Sequence, residues 1–385
     1  MSKHDFPPEE FSMRLARVRR AIADARLDWL LVFHPVSMHW LIGTDAKSFQ
    51  SFQCLLVSAE AKPLVMLTRD AERNEMLQDS LVEDLRIWGG GEPGDPIAAF
   101  AQVTDSLGLR RQRVGMEVPA YYLHPRHYVR IKDMLGAALV AEPDNLIHDL
   151  KMVKSPREIA MVREAGRIAD LGIDACVRTI AEGCSELEIA GAVYQAMLSA
   201  GGGLPASAIN LVTGDRLGFS HGSPTARRLG RGEAGNVEFG AAYNRYTATI
   251  GRMFSLGEPS ARMRDLHAVV RRAGDACIAA MRPGVAATVP HEAAKRVIAE
   301  AGLDRHRCHT TAYGIAPGFP PYWGEPIHIF GGSRYTLQAG MVFSVVPPVF
   351  IGEERLGARI TDTVLVTDAG AERISRHSRD FIVVE

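Results

Sequence analysis

The chain has no apolar run long enough to cross a bilayer and no excess of charge of either sign. Runs such as Trp29–Phe33 stop far short of the roughly 18–20 residues a spanning helix needs. Its 44 lysines and arginines against 45 aspartates and glutamates give a formal net charge of −1. That balance disfavours nucleic acid or an acidic membrane as the main partner. Cysteine is scarce: Cys54, Cys176, Cys184, Cys277 and Cys308 are scattered, odd in number and without a CxxC pair. This spacing encodes neither a zinc framework nor a secreted disulfide scaffold. The opening residues, MSKHDFPPEEF, lack the apolar core of a signal peptide. A reducing compartment, the cytoplasm, is the expected location.

What is present is the composition of a globular protein, 46% hydrophobic and 23% charged over 385 residues. That length is enough for two domains, each with its own core. Phe11, Leu15, Val18, Ile22 and Ala25 recur at steps of three and four, which predicts a helix over residues 9–26. Short bounded apolar runs predict strands at Trp29–Phe33, Cys54–Val57, Leu64–Leu67 and Arg113–Val118, with a helix at Arg126–Leu135 and a loop at Gly89–Gly94. The boundary is expected near Asp149–Lys154. Ser155-Pro156-Arg157-Glu158 and Ser185-Glu186-Leu187-Glu188 read as capping boxes, the serine oxygen taking an orphan N–H and the glutamate reaching back. Helices from these two starts are expected to run to about Ile180 and Leu198. Later strands are expected at Gly235–Gly240, Tyr246–Phe254, Met341–Val346 and Ala358–Val366, with helices at Met263–Met281 and Val289–Ala301.

Five segments in this order resemble the creatinase/prolidase/methionine-aminopeptidase family of the pita-bread fold. They are Lys154-Ser155-Pro156-Arg157-Glu158-Ile159, Gly183–Ala190, the strand pair Val237–Phe254, Leu337–Val346 and the closing strand Leu356–Val366. The resemblance implies an α/β creatinase-type N-terminal domain over residues 1–150 and an α+β pita-bread catalytic domain over 151–385. Metallopeptidases of this family hold two metal ions with two aspartates, a histidine and two glutamates. The resemblance puts those positions at Glu238, Thr249, Ile315, Val346 and Ile360. Hard divalent ions need several ligands converging on them, and one carboxylate with one hydroxyl does not supply them. No metal and no other cofactor is expected.

Family members without metals include creatinase and the ectoine hydrolases, which cleave C–N bonds in small compounds. Creatinase uses a histidine from the loop before the first long strand. That position is His221 here, in Phe219-Ser220-His221-Gly222-Ser223-Pro224. With a pKa near 6.5, an imidazole can take a proton from water and return it to a leaving nitrogen. Glu238 or Glu325 is expected to orient water or the substrate nitrogen. The structural alternative for Glu238 is an ion pair with Arg252 or Arg359, and for Glu325 a capping role. The expected substrate-binding wall is Phe49, Ser51, Tyr246, Thr249, His309, Tyr313, Tyr322, Trp323, His328 and Arg359. The two arginines that grip the creatine carboxylate fall here at Ser51 and His309, which cannot replace a bidentate grip. Creatine is therefore not the expected substrate.

The expected function is metal-independent hydrolysis of a C–N bond in a small amidine, guanidino or cyclic-amide compound. Glu238, Glu325, Tyr322 and Trp323 favour a cation-reading pocket. The alternatives are an Xaa-Pro-type metallopeptidase and a non-catalytic binding module on the same fold. The expected partners are the small-molecule substrate and a second copy in a homodimer, because the creatinase residues matching Phe49 and Ser51 reach the neighbour's site.

Overall fold

The computed structural model describes residues 3–45 and 47–385. These form two compact units, one through Lys151 and one from Met152 to Glu385.

The first unit runs α1 (Pro8–Asp24), β1 (Trp29–Val32), α2 (Pro35–Ile42), β2 (Cys54–Ser58), β3 (Val65–Arg69), α3 (Arg73–Asp79), β4 (Asp84–Trp88), α4 (Pro96–Leu107), β5 (Val114–Met116), α5 (Pro125–Leu135), β6 (Leu139–Ala141) and α6 (Leu146–Lys151). Its six strands form one mixed sheet in the order β4-β3-β2-β1-β5-β6. Both faces are covered. Leu31, Cys54 and Leu67 pack with Phe100 and Ile131 on one side, while Leu30, Leu55 and Met66 pack with Val18 and Trp40 on the other. Burial on both faces explains why these strands read as continuous apolar runs.

The second unit opens with α7 (Pro156–Thr179) and α8 (Glu186–Ser199), each starting in a complete capping box at Ser155 and Ser185. Then come β7 (Asn210–Thr213), β8 (Ala234–Tyr243), β9 (Tyr246–Leu256), α9 (Ala261–Ala280), α10 (Thr288–Glu300), β10 (Ala312–Phe319), β11 (Tyr322–Ile329), β12 (Val342–Val345), β13 (Val349–Ile351), β14 (Leu356–Ala358), β15 (Thr361–Thr367), β16 (Gly370–Arg373) and β17 (Ile382–Val384). The main path of the sheet is β11-β10-β12-β15-β9-β8-β7. The sheet curls enough for Pro317 of β10 to meet Tyr246 of β9. α7 and α8 pack on Leu211, Val237, Phe239 and Ile250, and α9 and α10 on Phe343, Ile360 and Val364. Strand side chains alternate between faces. The residues between these apolar ones, Asn210, Asn236, Glu238 and Thr361, therefore lie on the face away from the helices. That polar face holds the site.

Candidate active site

Strand register builds the centre of the site. Asn210 of β7 lies opposite Glu238 of β8, Glu238 opposite Gly251 of β9, and Gly251 opposite Thr361 of β15. A Cβ at Gly251 would come within 2.8 Å of Thr361 Oγ1. Without one, the Thr361 hydroxyl reaches across and donates to Glu238 Oε1 at 2.7 Å. Asn210 Nδ2 donates to Oε2 at 2.9 Å, and Arg359 Nη1 lies 2.7 Å from the same oxygen. Arg359 is itself fixed. Its Nε and Nη2 donate to Asn236 Oδ1 at 3.1 and 3.0 Å, and its Nη1 to the Ser220 carbonyl at 2.8 Å. The arginine thus ties the loop carrying His221 to the carboxylate.

Above this row lies a cavity of about 270 Å³, lined by His221, Glu238, His309, Tyr313, Tyr322, Trp323, His328 and Arg359 together with Ser207, Asn210, Thr310, Val346 and Pro348. The His221 and His309 rings meet edge-on at 5.8 Å, and His309 and Tyr313 at 6.0 Å; Tyr313 and His328 lie tilted at 6.2 Å. Gly240 makes room for the Trp323 ring, which a Cβ there would approach to 2.9 Å. The Trp323 Nε1 then donates to Tyr313 Oη at 3.1 Å.

Burial lowers the His221 pKa, Arg359 and His309 lower it further, and Glu238 opposes them. Burial and His309 also lower that of His328. For Glu238, burial raises the pKa, but Arg359, the bonds from Thr361 and Asn210, and His309 outweigh it, so the carboxyl is held ionised. Burial and the Glu238 charge push Tyr313 up to about 12, against the Trp323 hydrogen bond and the neighbouring Ser344 hydroxyl. The result is an ionised carboxylate neutralised by a guanidinium, beneath the His221 and His328 imidazoles held below their ordinary pKa and a neutral phenol.

Eight of the expected residues thus come together on one wall. Glu325 does not line the cavity: its Oε2 accepts from Lys154 Nζ at 2.5 Å, with both side chains buried. Tyr246 is buried too, its hydroxyl donating to Glu158 of α7 at 2.8 Å. Thr249 lies beneath the wall, its hydroxyl bonded to Ser344 Oγ at 2.8 Å. Phe49 and Ser51 belong to the first unit, where Phe49 is buried with its ring edge-on to Tyr122. Asn210, Ser207 and Thr310 were not expected. Of these, Asn210 carried a signal, a lone amide at the head of the apolar run Leu211-Val212.

The side chains facing Glu238 also correct the expected ligand positions. Ile315 and Ile360 are buried, Ile360 in the apolar core. The residues presented to the site from their strands are Tyr313 and Thr361. A two-metal centre does not fit this donor set. Its one carboxylate already carries a guanidinium, a hydroxyl and an amide, and Val346 presents no ligand atom. Among the described residues no group of three or more His, Cys, Asp or Glu could hold a metal ion, the three histidines of the wall included.

Residues 160–368 match Metallopeptidase family M24, and residues 14–153 match the Creatinase/Prolidase N-terminal domain. The chain belongs to the M24 metallopeptidase family. This M24 chain is 30% identical over 386 residues to the probable dipeptidase PepE of Mycobacterium tuberculosis, covering 100% of this chain and 99% of that one. It is 27% identical to the ectoine hydrolase of Halomonas elongata, covering 98% of each. Among solved structures, dipeptidase PepE from Mycobacterium ulcerans superposes with a TM-score of 0.85 at 26% identity, covering 98% of this chain and 99% of that one. The pita-bread fold with a creatinase-type front domain is thereby established.

Proposed function

We propose that this M24 chain is a metal-independent hydrolase of a C–N bond in a small compound of the amidine, guanidino or cyclic-amide class. One observation carries the reading: Arg359 lies 2.7 Å from Glu238, the one acidic side chain among the described residues of the cavity wall. A fixed guanidinium supplies the positive charge that would otherwise come from a bound ion, and it does so without ligands. Glu325 pairs with Lys154 away from the cavity, which removes one of the two carboxylates expected to read a cation. Of the three compound classes, a neutral cyclic amide suits a wall of imidazoles and hydroxyls best.

His221 is the acid–base group of this proposal. Its lowered pKa keeps it unprotonated near neutrality, so it can take a proton from water as the water oxygen adds to the C–N carbon. It returns that proton to the nitrogen as the C–N bond breaks, so water and amide become acid and amine. Arg359 and Glu238 fix the loop from which the imidazole projects.

The test is turnover of ectoine, creatine and an Xaa-Pro dipeptide by the wild type and by His221→Ala. The reading predicts hydrolysis of a non-peptide amide or amidine, lowered about 100-fold or more by the substitution, with the melting temperature little changed. Hydrolysis of the dipeptide alone, dependent on added metal, would instead favour the peptidase reading to which the 30% identity with PepE points.

A further inference from the structure

Tyr313 is the polar group of the wall whose hydrogen bonds can be counted through. A phenol oxygen has two acceptor sites and one proton to give. The indole Nε1 of Trp323 can only donate, and it fills one acceptor site at 3.1 Å. Ser344 is the direct cross-strand partner of Tyr313 between β12 and β10, so its hydroxyl lies on the same face of the sheet as the phenol.

The Ser344 hydroxyl is engaged from below. Thr363 Oγ1 accepts the Thr249 N–H at 2.7 Å and gives its own proton to the Thr249 carbonyl at 3.0 Å. The Thr249 hydroxyl therefore donates to its nearer neighbour, Ser344 Oγ at 2.8 Å, rather than to Thr363 Oγ1 at 3.3 Å. Ser344 Oγ thus takes its proton from Thr249 and not from Tyr313. One acceptor site of the phenol is filled from behind, by the indole N–H. No described residue accepts the Tyr313 proton, and Tyr313 lines the cavity.

We infer that Tyr313 directs its hydroxyl proton into the cavity as the donor that holds the oxygen of the scissile amide. This rests on the hydrolase reading of the same cavity. As water adds to the amide carbon and gives its proton to His221, the carbonyl π pair moves onto oxygen, and that oxyanion accepts the Tyr313 hydrogen bond. Collapse restores the C=O bond and expels the nitrogen, which takes the proton from His221. Tyr313 loses no proton in this cycle. Burial beside Glu238 pushes its pKa up to about 12, so it stays a donor at working pH. A donor preorganised in a water-poor site acts on the charge that develops in the transition state.

The experiment compares wild type with Tyr313→Phe in two measurements. The first is calorimetric affinity for acetate, a small oxygen acceptor used as the probe. The second is kcat and KM on whichever of ectoine, creatine or an Xaa-Pro dipeptide the wild type hydrolyses. A donor role predicts acetate affinity weakened about tenfold or more, and kcat lowered roughly 100–1,000-fold with KM little changed. Equal acetate affinity in the two proteins, or no acetate binding by either, overturns it. Turnover that survives Tyr313→Phe also overturns the donor while leaving the hydrolase intact. Tyr313-dependent acetate binding without turnover of any compound keeps the donor and removes the hydrolase reading. If Tyr313→Phe does not fold, 3-fluorotyrosine at position 313 preserves the packing with a more acidic phenol. Tighter acetate binding then supports the donor, and unchanged binding overturns it.

Discussion

Glu238 is a buried carboxylate whose charge is balanced by one guanidinium, so the two side chains are energetically inseparable. Arg359→Met is expected to destabilise the protein by about 3–5 kcal/mol, because an uncompensated buried charge remains. Adding Glu238→Gln in the same chain is expected to recover most of that loss. Denaturant titration of the two variants checks this, and a double variant no more stable than Arg359→Met contradicts the pairing. His221 titrates below its ordinary value of 6.5. The acid limb of kcat/KM is therefore expected below pH 6.5, with activity lost as pH falls through the lowered pKa, and a pH–rate profile checks it. His221 was legible in sequence because it sits among glycine and serines in a recognisable loop. Glu325 was misplaced for a physical reason. The β10–β11 pairing has register shifts between Tyr313 and Ile315 and between Ile315 and Phe319. Counting side chains by twos therefore fails to say which face a residue takes.

At the scale of elements, the helix starts were the most legible feature, because capping is local chemistry. Both serine–glutamate boxes form as read, giving α7 and α8. α2 escaped notice because all eight of its residues are buried, so no polar face marks a helical period. Its N-cap is His34, whose Nδ1 accepts the Val36 N–H at 3.2 Å. Burial, then the Lys151 charge, lowers the His34 pKa from 6.5 to about 3. The folded value lies below the unfolded one, so this stabilising contribution is present above pH 6.5 and is lost as pH falls from 6.5 towards about 3. Protonation also removes the cap acceptor. His34→Asn keeps an acceptor suited to an N-cap and removes the titration. Its acid-unfolding midpoint, followed by tryptophan fluorescence, is expected at lower pH than that of wild type. Coincident curves contradict the assignment.

For the whole molecule, the fold was readable because five separate segments occur in one order, and order is legible whatever residues stand at the site. The site was less readable because it depends on strand register, which places Asn210, Glu238, Gly251 and Thr361 in one row across four strands. No described helix is long and apolar enough to cross a membrane. The homodimer expected from the family resemblance remains our proposal. Leu204, Phe219 and Phe330 of the second unit are large apolar side chains left exposed, surface that a second copy would cover. Sedimentation at assay concentration is expected to give a dimer, and an active monomer contradicts it.

The most direct measurement is the metal content of the purified protein, taken together with its turnover before and after chelation. A guanidinium on Glu238, the one acidic side chain among the described residues of the cavity wall, predicts no stoichiometric divalent ion and a hydrolytic rate unchanged by chelator. One or two ions per chain, with activity lost to the chelator and restored by the ion, is the result that contradicts it.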